Sequence, residues 1–308
     1  MSAPFGFLNA FKPPGPSSAA FGNWVKRLAG GASVGHWGTL DPRACGVLVL
    51  AVGKATRLLP LITDSSKSYV FELVVGEQTD TGDGAGQVVA RATVGQDWRR
   101  QLPSAIAALR GPQLQLPPMY SAVKVSGSPL YRAARAGAVV PRAQRAITVW
   151  ELCILPNETD GRSARLFVRC DAGTYVRVLC EDLGKQLEMP ARMGALLRVA
   201  SGPFELSESM TPADIARSLK ACLLDPLRVL SQRRYELDAV GARRFCAGNE
   251  VVLEMLEGRR PHEAPDALSD DVLATHDGTL LGTGVLIRRD DQAMLAPTRV
   301  VAAHGQGT

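Results

Sequence analysis

The 308-residue chain lacks the patterns that mark several large classes of protein. It has no run of 18 or more apolar residues, which a membrane-spanning helix needs, and its first residues lack the basic-then-apolar pattern of a secretory signal. Neither a phosphate-cradling P-loop nor a dinucleotide-binding fingerprint is present. We therefore expect a cytoplasmic protein that does not associate with membranes and whose chemistry needs no redox cofactor.

The six cysteines and four histidines are scattered along the chain. No two cysteines form a Cys-x-x-Cys pair, and a disulfide framework would be unusual in a chain of this length without a secretion signal. The histidines do not have the spacing of zinc ligands. We expect no metal site and no cofactor, with most cysteines acting as small core residues.

Positive charge is present and unevenly distributed. The formal net charge is +5 and the pI is about 9.0, but the interval between Asp97 and Glu151 holds eight basic residues and no acidic one. A solvated basic face would explain the positive charges alone. A phosphate-binding surface also explains the missing acids, because a nearby carboxylate would oppose phosphate contacts. We interpret the segment of about 113–145 as a basic insertion that binds nucleic acid.

The most informative segment of the chain is Val34–Leu48. It places His36 and Asp41 five residues apart among three glycines, and an apolar run over 47–52 that predicts a buried strand follows it. Asp41-Pro42 alone is an ordinary turn dipeptide. The histidine, threonine and glycines packed around one carboxylate favour a reactive group that is held on a loop against a rigid strand.

Apolar periodicity predicts a mixed α+β protein with two domains. The spacing of Phe21, Trp24, Val25 and Leu28 predicts a helix over about 18–29. Strands are predicted over 65–75, 147–152, 164–170 and 195–200, whereas residues 1–10 are expected to be poorly structured. Short strands with glycine turns in the last part of the chain predict a small barrel. We expect two domains, over 1–229 and over 230–308.

Three side chains could serve the chemistry of Asp41. Arg177 could hold the carboxylate in its charged form, although most arginines are simply exposed. Tyr69 could be an aromatic plate for an everted base, or it could be a packing residue of its strand. His36 could enter a nucleic-acid fold, or it could be an ordinary loop histidine. A carboxylate with such partners could act as a nucleophile or a base at a sugar carbon.

Five motifs of this sequence resemble those of the TruB-type tRNA pseudouridine synthases. They are Lys12-Pro13-Pro14-Gly15-Pro16-Ser17-Ser18, Gly35-His36-x-Gly38-Thr39-Leu40-Asp41-Pro42, Asp64-Ser65-Ser66-Lys67-Ser68-Tyr69, Gly76-x-x-Thr79-Asp80-Thr81-x-Asp83 and Gly173-Thr174-Tyr175-Val176-Arg177. The likeness extends from Lys12 to about Val301. Phe11 stands where the family often has an aspartate, so any role of that acid is missing here.

The resemblance implies a fold and a set of site residues. The fold would be a mixed, largely antiparallel central sheet with flanking helices in a catalytic domain over 1–229, plus a small C-terminal barrel-like RNA-binding domain of PUA type over 230–308. Asp41 would be the catalytic carboxylate, Tyr69 would stack on the base and Arg177 would pair with Asp41. The residues implied to bind the substrate are His36, Gly38, Thr39, Leu40, Lys12, Leu197 and, in the basic insertion, Arg132, Arg135 and Arg142.

The resemblance also implies a reaction. Uridine 55 in the T-loop of tRNA would be isomerised to pseudouridine by cleavage of its N1–C1′ bond, rotation of the uracil and rejoining through C5. Asp41 could attack C1′, add to C6 or remove a sugar proton. The partner would be the T-arm of tRNA, bound by a monomer without a protein partner. Two alternatives stay open: a non-catalytic protein that binds or folds tRNA in the same groove, and a related synthase for another RNA.

Overall fold

The computed structural model describes residues 4–95, 97–121, 140–156, 161–253, 271–289 and 292–302, with backbone alone at 124–125 and 128–129. The strands are β1 (Gly6–Lys12), β2 (Val34–Trp37), β3 (Cys45–Val52), β4 (Lys67–Val75), β5 (Glu77–Thr79), β6 (Val88–Arg91), β7 (Gly111–Gln115), β8 (Lys124–Val125), β9 (Ser128–Pro129), β10 (Arg145–Ile154), β11 (Ser163–Cys170), β12 (Ala191–Ser201), β13 (Phe204–Glu205), β14 (Arg234–Glu236), β15 (Val251–Val252), β16 (Val272–His276), β17 (Thr279–Arg289) and β18 (Gln292–Val300). The helices are α1 (Ser18–Leu28), α2 (Trp98–Ala108), α3 (Val176–Gln186), α4 (Pro212–Arg217), α5 (Leu219–Cys222) and α6 (Ala239–Cys246), with 3₁₀ turns at Gly53–Leu61, Leu206–Glu208 and Pro226–Arg228.

A nine-stranded sheet forms the centre of the molecule. Its strand order is β1-β3-β12-β4-β11-β10-β7, with β2 paired to β3 and β13 paired to β12. Adjacent strands run antiparallel except β3 and β12, which pair in parallel at Cys45 and Gly46. The predicted mixed, largely antiparallel sheet is therefore confirmed, as is the helix predicted over 18–29.

Strand β3 is buried on both faces of this sheet, and this explains its uninterrupted apolar sequence. Leu48 and Leu50 pack into the core beneath α1, α2 and α3, whereas Val47 and Val49 pack into a second apolar layer on the opposite face. The second layer also contains Leu230, Leu273, Leu280 and Val301 from the C-terminal part of the chain. The central strand thus supports both layers.

The prediction that residues 1–10 are poorly structured is wrong for residues 4–10, and residues 1–3 lie outside the described part of the chain. Strand β1 pairs with β3 along its whole length, and Phe7, Leu8 and Ala10 are fully buried. Leu8 and Ala10 enter one apolar layer and Phe7 the other. A short edge strand that contributes to both faces shows no clean alternation of apolar and polar residues, so its pattern was not visible in the sequence.

The C-terminal part of the chain forms a five-stranded sheet with the order β14-β16-β17-β18-β15. Helix α6 packs against it. Asp238 is the N-cap of this helix, and its carboxylate accepts from the Gly241 backbone N–H at 2.6 Å. This small β unit confirms the fold expected for the end of the chain. The boundary at 229/230 stays a prediction. Within the described residues, no helix is both long enough and apolar enough to span a bilayer.

Gly46 is the position where the parallel pairing of β3 and β12 depends most on a missing side chain. Its φ is +105°, and a Cβ there would lie 2.2 Å from the Arg198 carbonyl oxygen. We expect Gly46→Ala to lower the free energy of unfolding by about 3 kcal/mol or more, measured by urea denaturation. Gly15→Ala is the matched control, since Gly15 has a φ of +115° and no atom within 4 Å. It should cost about 1–2 kcal/mol, and equal losses in both variants would contradict the steric argument.

Candidate active site

The backbone on either side of Asp41 is fixed by two side chains from the N-terminal segment. The Ser18 hydroxyl accepts from the Leu40 N–H at 2.8 Å and donates to the Leu40 carbonyl at 2.9 Å. The Lys12 ammonium donates to the carbonyls of Pro13, Pro16 and Pro42. Both residues flanking Asp41 are therefore held by side chains from the end of β1 and the start of α1, and the carboxylate has little freedom to move with its loop.

The predicted pairing of Asp41 with Arg177 is present. Arg177 Nε lies 3.0 Å from Asp41 Oδ2, and the arginine side chain is 5% exposed whereas the aspartate side chain is 36% exposed. The guanidinium also donates to the Thr81 carbonyl at 3.1 Å and to the Tyr120 carbonyl at 2.9 Å. A rigid, buried cation thus holds a carboxylate that solvent can still reach.

Burial raises the pKa of Asp41 above its usual value. The Arg177 guanidinium opposes this rise by its charge and its hydrogen bond, Lys12 opposes it less, and the charge of Asp83 adds to it. Desolvation makes a carboxylate more basic, and a fixed cation keeps it ionised at neutral pH. This combination suits a group that must act as a nucleophile or base.

Tyr69 lies on β4, directly opposite Arg198 of β12. Its phenol is buried, and burial raises its pKa, which the nearby Arg198 opposes and the charge of Asp41 increases. The two side chains are close enough for the Arg198 charge to favour the ionised phenol and for the phenol to favour the charged guanidinium. Tyr69 is therefore protonated at neutral pH and lies within electrostatic reach of Asp41.

Arg198 is a site residue that the sequence analysis missed. Its guanidinium is 1% exposed and donates to the carbonyls of Val47, Thr39 and Gly38 at 2.6, 3.4 and 3.2 Å. It therefore connects the segment Val34–Leu48, called the signature segment below, to β12 and to Tyr69. A single arginine within an apolar strand, Leu196-Leu197-Arg198-Val199, was the one signal that could have indicated it.

His36, Gly38 and Thr39 are exposed on the solvent side of the signature segment, and Leu40 is buried beneath it. His36 lies on β2, opposite Leu50. The surrounding protein and, to a lesser degree, Arg198 lower the pKa of His36 below 6.5, so its imidazole is neutral at pH 7. Three of the four residues predicted here to bind the substrate are accessible to a ligand.

Two residues predicted to bind the substrate lie elsewhere than expected. Lys12 is 0% exposed and its ammonium is occupied by three carbonyls, so it supports the site without a free surface for RNA. Leu197 is opposite Val70, on the sheet face away from Tyr69, whereas Leu196 is opposite Phe71 and shares the apolar layer of Tyr69. The register thus favours Leu196 as the apolar neighbour of the base, because side chains alternate between the faces of a strand.

The basic insertion is only partly described. Arg132 and Arg135 lie outside the described residues, so their predicted contacts with RNA stay a prediction. Arg142 is half-buried and donates to the Pro117 carbonyl at 2.8 Å. Among the described residues, the potential metal ligands Glu236, His276 and Asp277 lie within 4.8 Å of one another, but they belong to the C-terminal sheet and not to the surroundings of Asp41.

Comparisons with known proteins agree with this geometry. Residues 26–176 match the family model of the TruB family pseudouridylate synthase N-terminal domain. A tRNA pseudouridine synthase B of Symbiobacterium thermophilum is 43% identical over 226 residues, which are 73% of this chain and 75% of that protein. Another of the same name, from Heliobacterium modesticaldum, is 35% identical over 301 residues, which are 96% of this chain and 95% of that protein.

Solved structures share the fold at lower identity. A chain of a Cbf5-Nop10-Gar1 complex aligns with a TM-score of 0.67 and 22% identity, over 97% of this chain and 85% of that one. A chain of an H/ACA RNP bound to a substrate RNA aligns with a TM-score of 0.63 and 20% identity, over 98% and 86%. Together with the sequence matches, the fold and the paired carboxylate define an enzyme of the pseudouridylate synthase class. Within that class, the chain belongs to the TruB family.

The charge of Arg177 should control the titration of Asp41. In Arg177→Met, burial of the carboxylate is no longer opposed by its main cation, so the pKa of Asp41 should rise further. The pKa is measured from the pH titration of the carboxyl carbon in protein labelled at aspartate. Arg217→Met is the control, because it removes the arginine of an exposed pair with Asp214. An Asp41 pKa that stays the same or falls in Arg177→Met would show that the ion pair does not govern this site.

Proposed function

We propose that this protein isomerises uridine 55 in the T-loop of tRNA to pseudouridine, with Asp41 as the catalytic carboxylate. The observation that carries the proposal is the 3.0 Å contact between Asp41 and the buried Arg177, which leaves the carboxylate open to solvent on its other side. Membership in the TruB family and the names of the relatives support the substrate and the reaction.

Asp41 supplies the reacting oxygen. Its carboxylate either attacks C1′, adds to C6 of the uracil or removes a proton from the sugar, and each of these steps needs the ionised form. The positive charge of Arg177 favours that form, and the two hydrogen bonds between Ser18 and Leu40 fix the position of the carboxylate. The barrier therefore falls through the fixed position and charge of the carboxylate.

Tyr69 provides a surface for the everted base. The protonated phenol can stack on the uracil and can exchange a proton with it, and Arg198 fixes the ring from the neighbouring strand. Leu196 borders the same apolar layer. These three residues can hold the uracil while it rotates between cleavage and rejoining.

His36 and the basic insertion act on the rest of the RNA. Extraction of a base from its stack costs a few kcal/mol, and the neutral imidazole of His36 can occupy the space that the base leaves. Arg132, Arg135 and Arg142 would contact phosphates of the T-arm, and the free energy of these contacts offsets the unstacking. The protein acts as a monomer in the cytoplasm, and all proposed groups come from one chain.

Asp41→Asn should abolish turnover while the Kd for tRNA stays within about threefold. Tritium release from tRNA labelled at C5 of uridine measures turnover, and filter binding measures the Kd. Asparagine removes the counter-charge of the buried Arg177, which costs stability, so the melting temperature of the variant is measured and both assays are run well below it. This separates loss of chemistry from loss of fold.

The matched control is Asp182→Asn, which removes the charge of a surface pair with Lys185 and should leave turnover unchanged. Multiple turnover by Asp41→Asn would exclude Asp41 as the essential group. Absence of tritium release by the wild-type protein, with intact tRNA binding, would point to a binding or folding protein. Activity on another RNA but not on a T-arm hairpin would change the substrate.

The hydroxyl of Ser18 should matter for rate more than for affinity. Ser18→Ala removes both bonds to Leu40, and the freed backbone should lower kcat by about ten- to a hundredfold with less than about a threefold change in the tRNA Kd. The adjacent Ser17 is the control, since its hydroxyl caps α1 by accepting from Ala20 N–H. Ser17→Ala should cost about 1 kcal/mol of stability and keep its kcat. Equal kcat values for the two variants would contradict a role of the Ser18–Leu40 hydrogen bonds in positioning Asp41.

A further inference from the structure

Lys67 is a buried amine that the proposed reaction does not use. It opens strand β4 two residues before Tyr69 and is 5% exposed. Its Nζ atom is inaccessible to solvent and has no hydrogen-bond partner among the residues that the structure describes. An ammonium carries three donors, and a buried charge without partners is costly, so this placement requires a physical reason.

The amine lies over the indole of Trp37. Lys67 Nζ is 3.4 Å from the centroid of the Trp37 ring, and a cation over the face of an indole is attracted by the ring. The same indole lies close to Gly202, where a Cβ would approach the ring to 2.9 Å. Trp37 therefore contacts both the Lys67 amine and the chain at Gly202.

Trp37 belongs to the strand that carries His36. Strand β2 pairs with β3 from Val34 to Trp37. The contacts of the Trp37 ring connect this last residue of β2 to the start of β4 and to the residue that follows β12. Gly38, the next residue, lies directly over the same lysine, because a Cβ there would be 3.5 Å from Lys67 Cε. The contact therefore sits between His36 and the segment that leads to Asp41.

We propose that Lys67 is a positioning residue, whose ammonium holds strand β2 and the His36 imidazole in place through the Trp37 ring. The effect on substrate rests on the proposed function, since it concerns His36 as a group that meets tRNA. The contact itself does not depend on that function.

The contact between Lys67 and the Trp37 indole depends on pH, because only the protonated amine is attracted by the ring. Burial lowers the pKa of Lys67 to about 7, and the neighbouring Arg198 of β12 lowers it as well. Asp64, in the loop before β4, and Cys170 of β11 oppose this decrease. Below pH 7 the group is an ammonium and attracts the indole, whereas above pH 7 it becomes a neutral amine and the attraction weakens. His36 loses its proton at a lower pH than Lys67 does.

Indole fluorescence of the full-length protein, titrated from pH 5.5 to 9, tests the contact. The wild-type protein should show a step with a midpoint near 7 that is absent from Lys67→Met and from Trp37→Phe. Lys26→Met is the matched control, because it makes the same change at an exposed residue of α1, and it should keep the step. His36→Gln should keep it too, which separates Lys67 from the adjacent imidazole.

The tRNA Kd and kcat, measured over the same pH range, test the positioning. In the wild-type protein the Kd should rise by about threefold to tenfold from pH 6 to 8.5, with kcat changing less. Lys67→Met should show the high Kd at every pH. Lys67→Arg, whose charge persists and whose guanidinium stacks on indole, should restore a low Kd without this pH dependence.

Each contrary result has a distinct meaning. A missing step, or a step that survives in Lys67→Met, overturns the lysine–indole contact. A step together with the same pH dependence of the Kd in wild type and Lys67→Met overturns the positioning role. Trp37→Phe decides these points if Lys67→Met does not fold. Wild-type protein that binds tRNA but forms no pseudouridine overturns the proposed function and leaves the test of Lys67 intact.

Discussion

The ion pair between Asp41 and Arg177 is the constraint on which the rest of the site depends. A carboxylate largely surrounded by protein stays ionised at neutral pH only if a fixed positive charge opposes its desolvation. The same guanidinium binds the carbonyls of Thr81 and Tyr120. Three segments that are distant in sequence therefore meet at one cation, and the position of the carboxylate is set by all of them.

A second buried cation, Arg198, fixes the backbone of the signature segment, as Arg177 fixes the Asp41 carboxylate. Its donors are directed to the carbonyls of Gly38, Thr39 and Val47, and it lies opposite Tyr69 on the neighbouring strand. Carbonyl groups satisfy a guanidinium without neutralising it, so its positive charge stays in the site. A charge of this kind is costly to bury, and here the three carbonyls offset part of that cost.

The parts of the site that sequence analysis predicted are those carried by local motifs. Asp41, Tyr69 and Arg177 each stand in a recognisable short pattern, and the pairing of Asp41 with Arg177 is present in the structure. Arg198, the preference for Leu196 over Leu197 and the contact of Lys67 with Trp37 were not predicted. All three depend on the register between β4, β12 and the β2–β3 segment. The register between strands that are distant in sequence cannot be deduced from the sequence of either strand alone. The same applies to β1, whose burial depends on its pairing with β3.

The glycines of the signature segment connect these local and long-range features. Gly46 has no side chain where β12 passes, and this allows the Arg198 backbone to approach β3 so closely that Arg198 Nε reaches the Val47 carbonyl at 2.6 Å. At Gly38 a Cβ would meet only ordinary van der Waals contacts, with Lys67 Cε at 3.5 Å and Arg198 Nη1 at 3.6 Å. A glycine in a motif is usually interpreted through its own backbone freedom. At Gly46 the absent side chain decides how closely β12 can approach β3. Part of the information about Arg198 was therefore present in the motif, as a position where the backbone of another strand must pass.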